Sequence, residues 1–344
     1  MKRIAFIAAV VTALIGCGKS PEPTKSTETA QPVGTSKAPD TSKKVTVALM
    51  PKSKGNGYFV SCKQGSDQAA KDLNVELIFD GPTTPDPAKQ NEIVENWITL
   101  GVDVIAAACE NRDGISTALR KAQSKGIKVV TYDSDAAPDV RSFFVNQATP
   151  EGIGNTLMDE AARLCNDDGE FAIITASLTA ANMNAWQQQI EVRRRDNHPK
   201  MKMVALRPCD DLKDKAQAEA TTLLSAYPNL KLIMAICSPA VPGAAEAIVQ
   251  AGKRGTVKLI GLGLPSENKK YVLGGVTDSV ILWKTTDLGY LTVESAAALA
   301  RGQLKPGDTN FVSRKLGNIQ VRGDNLILGK PFIFNQSNIA DYNF

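Results

Sequence analysis

Side chains able to do covalent chemistry are few in this chain and poorly spaced for it. Its single histidine, His198, lies in an Asp196-Asn197-His198-Pro199 turn. There is no Gly-x-Ser-x-Gly and no Gly-Lys-Ser/Thr, so neither an activated serine nor a phosphate loop is indicated. The six cysteines are irregularly spread and include no Cys-x-x-Cys; with one histidine they make no zinc pattern and no disulfide framework. Carboxylates are plentiful, which leaves a paired-acid glycosidase open on composition alone. What remains is hydrogen-bonding chemistry. Lys52 can donate, Asp133 can accept from two neighbouring donors, and Asn182 and Asn184 can do both.

Those residues fall between elements that alternate strongly. Apolar strands are expected at 45–49, 75–79, 104–108, 127–131, 171–175, 201–206, 230–235, 257–261 and 279–283, with 143–146 as a connecting strand. Amphipathic helices fill the gaps, among them 59–73, 87–100, 113–125, 150–165 and 287–301. β-Branched runs separated by helical segments predict βαβ units and parallel sheets. The pattern runs once to about residue 147 and then restarts. The expected fold is α/β, with two doubly wound parallel-sheet lobes joined by a hinge. In open parallel sheets ligands bind beyond the carboxyl ends of the strands, and the loops there hold the residues named above.

Composition limits the partners. The formal charge of +4 includes Lys2 and Arg3, and without them it is about +2. That is too little to argue for nucleic acid. The basic run Arg193-Arg194-Arg195 precedes Asp196 and reads as a solvated helix face. A body of about 300 residues suits two domains.

The start of the chain carries a different signal. Met1-Lys2-Arg3 leads into an apolar segment, Ile4 to Ile15, too short to span a bilayer, as in a secretory signal. Leu14-Ile15-Gly16-Cys17 resembles the lipobox of bacterial lipoproteins. That resemblance implies cleavage before Cys17 and a lipid on its thiol. An ordinary cleaved signal with a chance cysteine, or a buried first strand, is the competing reading. Residues 17–44 are rich in Ser, Thr, Pro, Lys and Glu and cannot bury enough surface to offset their ordering entropy. They are expected to be a disordered leash of about 25–30 Å. The expected organisation is 1–16 signal peptide, 17–44 leash, 45–147 N-terminal lobe with about 284–312, and 148–283 C-terminal lobe with about 313–344.

The loop residues also form a recognisable set. Asn56-Gly57-Tyr58-Phe59-Val60 with Lys63-Gln64-Gly65, and Thr131-Tyr132-Asp133-Ser134-Asp135, resemble loops of ribose-type periplasmic binding proteins. Met50-Pro51-Lys52, Phe79-Asp80-Gly81-Pro82-Thr83, Asn146-Gln147-Ala148-Thr149-Pro150, Asn184-Ala185-Trp186 and Phe332-Ile333-Phe334-Asn335 extend the likeness. It points to the branch containing rhamnose-binding and autoinducer-2-binding receptors, and it covers the body from about Lys44 to Phe344. The resemblance implies the type I periplasmic-binding fold, a sugar in the cleft and an ABC transporter permease as partner. It implies a monomer held at the membrane of the cell envelope by its lipid, with no catalysis, no cofactor, no metal and no nucleic acid.

By the same resemblance, Lys52, Asp133, Asn182, Met183, Ile236 and Ser238 match the ligand-contact positions of autoinducer-2 receptors. Lys52 and Asp133 keep the receptor residues, whereas the other four depart from them. The full candidate ligand set is Lys52, Asn56, Phe59, Asp133, Asp135, Asn182, Met183, Asn184, Ile236, Ser238 and Leu264. A sugar needs its hydroxyls paired, since each unpaired buried group costs about 1–3 kcal/mol. The soft residues Met183, Ile236, Cys237, Gly263 and Leu264 suit a methyl group, as on a 6-deoxyhexose such as L-rhamnose. Competing readings stay open at several positions. Lys52 could pair with Asp80 or Asp133 at the surface, Asp135 could cap the next turn, and Asn182 could be a helix N-cap. Phe59 reads equally as a core anchor or a stacking platform, Trp186 reads as lobe core, and Trp283 as core or cleft wall at a hinge crossing.

Overall fold

The computed structural model describes residues 44–344; the signal, Cys17 and all of the leash but Lys44 lie outside the described residues. The first half runs β1 (Val45–Met50), α1 (Gly57–Asp72), β2 (Val75–Phe79), α2 (Pro87–Leu100), β3 (Val104–Ala107), α3 (Arg112–Ser124), β4 (Lys128–Tyr132) and β5 (Phe143–Ala148). The second runs α4 (Pro150–Cys165), β6 (Gly169–Thr175), α5 (Ala181–Asn197), β7 (Met201–Pro208), α6 (Lys213–Ala226), β8 (Leu230–Ala235), α7 (Ala240–Gln250), β9 (Lys258–Leu262), α8 (Pro265–Leu273) and β10 (Ser279–Leu282). The chain closes with α9 (Thr285–Ala300), β11 (Asn310–Ser313), β12 (Gly317–Arg322), β13 (Asn325–Gly329) and β14 (Phe332–Asn335).

Two sheets result. One is eight-stranded, in the order β11-β12-β13-β5-β4-β3-β1-β2. The other is six-stranded, in the order β14-β10-β9-β8-β6-β7. Within each, five parallel strands share one winding: β2-β1-β3-β4-β5 and β7-β6-β8-β9-β10. Order 2-1-3-4-5 places a topological switch point beside the first strand of each half, where ligands bind. Central strands such as β3 and β10 are buried along their whole length, as strands covered by helices on both faces must be.

Local signals fix the helices. Asp86 caps α2 by accepting from the Lys89 N–H, Pro87 opens it, and Gly101 ends it in the left-handed region. Thr149 and Pro150 do the same for the start of α4. Helix α9 returns to the first lobe and packs on α1. That approach requires glycine on both sides: a Cβ on Gly65 would lie 1.7 Å from the Thr286 carbonyl oxygen, and one on Gly289 1.8 Å from that of Cys62. The arginine run is a surface feature, with Arg193, Arg194 and Arg195 paired to Asp159, Glu191 and Asp196.

The tail departs from expectation. β12 and β13 do not join the second lobe; β13 pairs in parallel with β5 and extends the first sheet. Only β14 crosses back, antiparallel to β10. The last crossing therefore falls between Gly329 and Phe332, not near residue 313. The anchor is Arg141, buried in the first lobe, which binds Asp135 through two nitrogens and also pairs with Asp324, just before β13.

Candidate functional site

The chain crosses between sheets at Ala148–Pro150, Leu282–Thr285 and Gly329–Phe332. The carboxyl ends of the two sheets then face a shared cavity of about 390 Å³.

The first lobe supplies Lys52, Asn56, Tyr58, Phe59 and Asp133. Lys52 follows β1 at the switch point. The wholly buried Gln90 steadies its loop, donating to the carbonyls of Pro51 and Ala108 while accepting from the Glu110 N–H. Lys52 is only 3% exposed, so a surface ion pair does not describe it; Asp80 is instead held by Lys54. Its ammonium donates across the cleft to Asn182 Oδ1 at 3.3 Å. Asp133 directly follows β4 with φ 59°, a conformation that aspartate tolerates better than most residues. Gln147 holds its carbonyl from β5.

A polar chain runs into this carboxylate. Trp283 Nε1 donates to Tyr58 Oη at 2.8 Å, and Tyr58 Oη donates to Asp133 Oδ1 at 2.9 Å. One Asp133 oxygen is thus fixed, and the chain ties the Leu282–Thr285 crossing to the first lobe. Burial pushes the Asp133 carboxyl up to about 6, against the stabilising field of Lys52 and the Tyr58 hydrogen bond. Burial likewise raises Asp211 and Glu110, with Lys52 opposing the rise at both. A single buried ammonium therefore serves three carboxylates.

The second lobe supplies Asn182, Met183, Trp186, Asp211, Ile236, Cys237, Ser238, Leu262, Leu282 and Trp283. Seven of these ten are apolar or thiol side chains, so this wall has little to offer a hydroxyl. Trp186 and Trp283 stand edge to face at 6.1 Å, and Tyr58 meets Trp283 in the same way. Ser238 Oγ is buried without a hydrogen-bond partner among the described residues.

Of the sequence candidates, Lys52, Asn56, Phe59, Asp133, Asn182, Met183, Ile236 and Ser238 come together around the cavity. Asp135, Asn184 and Leu264 do not line it. Asp135 is bound by Arg141 and accepts from the Ala136 N–H, so it closes its own turn. Asn184 is exposed and donates to the Leu178 carbonyl. Leu264 is buried at the start of α8, where it faces Gly57. Asn182 is not the N-cap of α5; that position is Ala180, and Asn182 Oδ1 accepts from the Met183 N–H within the first turn. Sequence reasoning missed Asp211, although it ends a loop after a strand, and did not place Trp186 in the cavity wall. Among the described residues no cluster of His, Cys, Asp and Glu has metal-binding geometry, and no helix is long and apolar enough to cross a membrane.

Paired doubly wound lobes with three crossings and a central cleft between them define a type I periplasmic-binding fold. A family model described as periplasmic binding protein domain matches residues 47–304. The chain belongs to that family. It is 30% identical over 231 residues to the D-ribose/D-allose-binding protein of Pseudomonas aeruginosa, covering 64% of this chain and 72% of that protein. Over 254 residues it is 27% identical to the D-allose-binding periplasmic protein of Escherichia coli, covering 70% and 80%. Among solved structures, an ABC transporter solute-binding protein from Clostridium phytofermentas with bound L-rhamnose superposes with TM-score 0.84 at 30% identity, covering 88% of this chain and 98% of that one. LsrB from Clostridium saccharobutylicum in complex with AI-2 shares the fold, with TM-score 0.83 at 24% identity, covering 87% and 100%.

Proposed function

We propose that this protein is the extracytoplasmic receptor of an ABC sugar importer, and that its ligand is L-rhamnose or a related 6-deoxyhexose. The observation that carries the reading is the asymmetry of the cavity. Lys52 and Asp133 of the first lobe, with Asn182 across the cleft, gather hydrogen-bonding capacity, and Met183, Ile236, Leu262 and Leu282 leave much of the second-lobe wall apolar. A 6-deoxyhexose has the same asymmetry, with hydroxyls around most of the ring and one methyl. Asp133 accepts from two hydroxyls, Lys52 and Asn182 donate, Ser238 pairs one more, and the aromatic side chains cover ring C–H faces. The 30% likeness to a receptor solved with L-rhamnose supports this assignment.

A second reading has its own support. The curated relatives in Pseudomonas and Escherichia coli are named for ribose and allose, and a pentose or an unmodified hexose would need more pairing on the second-lobe wall. Calorimetric titration with L-rhamnose, L-fucose, D-ribose, D-allose and autoinducer-2 separates the two. Micromolar or tighter binding of a 6-deoxyhexose is expected; silence of both deoxysugars with binding of ribose or allose overturns the assignment. Cys17 is proposed to carry the lipid and the following residues to tether the body. Membrane retention of Cys17→Ser would contradict that part alone.

A further inference from the structure

Besides Lys52–Asn182, another side-chain contact joins the lobes without a ligand. Asn56 caps α1 through Oδ1, which accepts from the Tyr58 N–H at 3.0 Å. That bond fixes the amide's orientation and turns Nδ2 away from the helix. Nδ2 donates to Oδ2 of Asp211, on the opposite lobe, at 3.0 Å. Asp211 follows Asp210, and both have positive φ, 52° and 55°. Successive left-handed residues other than glycine are costly, so the loop after β7 holds a strained bend at the point where it meets Asn56.

The position of the pair gives it a task. Outside the central cavity lies a groove of about 1,100 Å³, bordered by Ser53, Thr83 and Pro85 on one lobe and Lys213, Pro239 and Tyr271 on the other. Asn56 and Asp211 are the two residues common to the linings of cavity and groove. Their hydrogen bond lies where the two spaces meet.

We propose that Asn56–Asp211 is a latch supplied by the protein itself, holding the lobes together across the mouth of the cavity and governing the escape of what is inside. Both are positioning residues. Asn56 has its amide engaged on both sides, unlike Ser238, which is free to pair with a ligand.

The test exchanges donor and acceptor in the full chain at pH 8, where carboxylates are ionised. Asn56→Asp keeps the helix cap but sets two carboxylates against each other. Asp211→Asn combined with it restores the bond in the reverse sense. The first readout uses no sugar: the inter-lobe distance, from energy transfer between one dye on each lobe. Asn56→Asp is expected to shift the distance toward the open form, and the double variant to return it to the parent value. The second readout rests on the ligand proposed above: the dissociation rate of L-rhamnose, expected to rise about tenfold in Asn56→Asp, the equivalent of one charge-assisted bond, and to recover in the double variant. An unchanged inter-lobe distance in Asn56→Asp, or a double variant as open as the single one, overturns the latch. If L-rhamnose binds no variant, the ligand assignment fails and the first readout still decides the latch.

Discussion

The two walls of the cavity are built to opposite rules. The first-lobe wall concentrates charge: buried Lys52 lies near Asp133, and Tyr58, itself held by Trp283 of the second-lobe wall, fixes one carboxylate oxygen in advance. The second-lobe wall is mostly apolar, with Ser238 Oγ left unpaired. Preorganised charge sets strength and orientation, because groups already held in place cost little to order on binding. An apolar wall sets discrimination, because any polar group placed against it goes unpaired. The comparison assigns affinity mainly to one lobe and ligand choice mainly to the other.

The largest effect should come from Lys52→Met. It removes the ammonium whose field opposes burial at Asp133, Asp211 and Glu110. Removing one member of a buried charge set costs about 3–5 kcal/mol. Urea unfolding at pH 7 should show a loss near the lower figure, since Asp133 can take up a proton in response. A loss below the error of the extrapolation would mean that the charges on this wall are not coupled.

Asp133→Asn comes next, and its two effects have opposite signs. The carboxyl titrates near 6 when folded and near 3.9 when unfolded. Between those values the folded state binds more protons, so ionised Asp133 costs stability as pH rises through that window. Asp133→Asn should therefore be more stable than the parent at pH 7, and the gap should close toward pH 4. Its affinity should fall by about 1.5–3 kcal/mol, the worth of a hydrogen bond to a charged group. Parent affinity should itself weaken below about pH 6, where the acceptor becomes protonated. Thermal melts and calorimetry of both proteins across pH 4–8 measure all three. Unchanged affinity in the variant would remove Asp133 from the ligand.

Ser238→Ala should be smaller and confined to binding. Its hydroxyl is unpaired without ligand, so unfolding midpoints should stay level or rise slightly. Affinity should fall by about 0.5–1.5 kcal/mol, one neutral hydrogen bond. A stability loss with unchanged affinity would place Ser238 in the scaffold.

The same contrast shows what the sequence could express. The parallel strands and most helices were legible because buried β-branched runs and Pro- or Asp-marked helix starts are local signals, as at Asp86-Pro87 and Thr149-Pro150. Lys52 and Asp133 were legible because strand ends in a doubly wound sheet must face the cleft. The direction of individual side chains was not. Asn182 and Asn184 stand two apart on α5, so one turns to Lys52 and the other to solvent. Asp133 and Asp135 are likewise two apart, but the left-handed backbone at Asp133 sends one to the cavity and the other to Arg141. The placement of β12 and β13 rests on long-range contacts, the β13–β5 ladder and the pairing of Arg141 with Asp324, 183 positions apart, that no local pattern announces. Asp211 escaped notice because its partner, Asn56, belongs to the other lobe.

The central claim is that the second-lobe wall takes a methyl group. L-Rhamnose and L-mannose differ only at that position, where mannose carries a hydroxymethyl. Calorimetric titration of both sugars into the parent protein tests the claim directly. The apolar wall predicts tighter binding of L-rhamnose by about 1–3 kcal/mol, the cost of leaving a buried hydroxyl unpaired. Equal or tighter binding of L-mannose would contradict it.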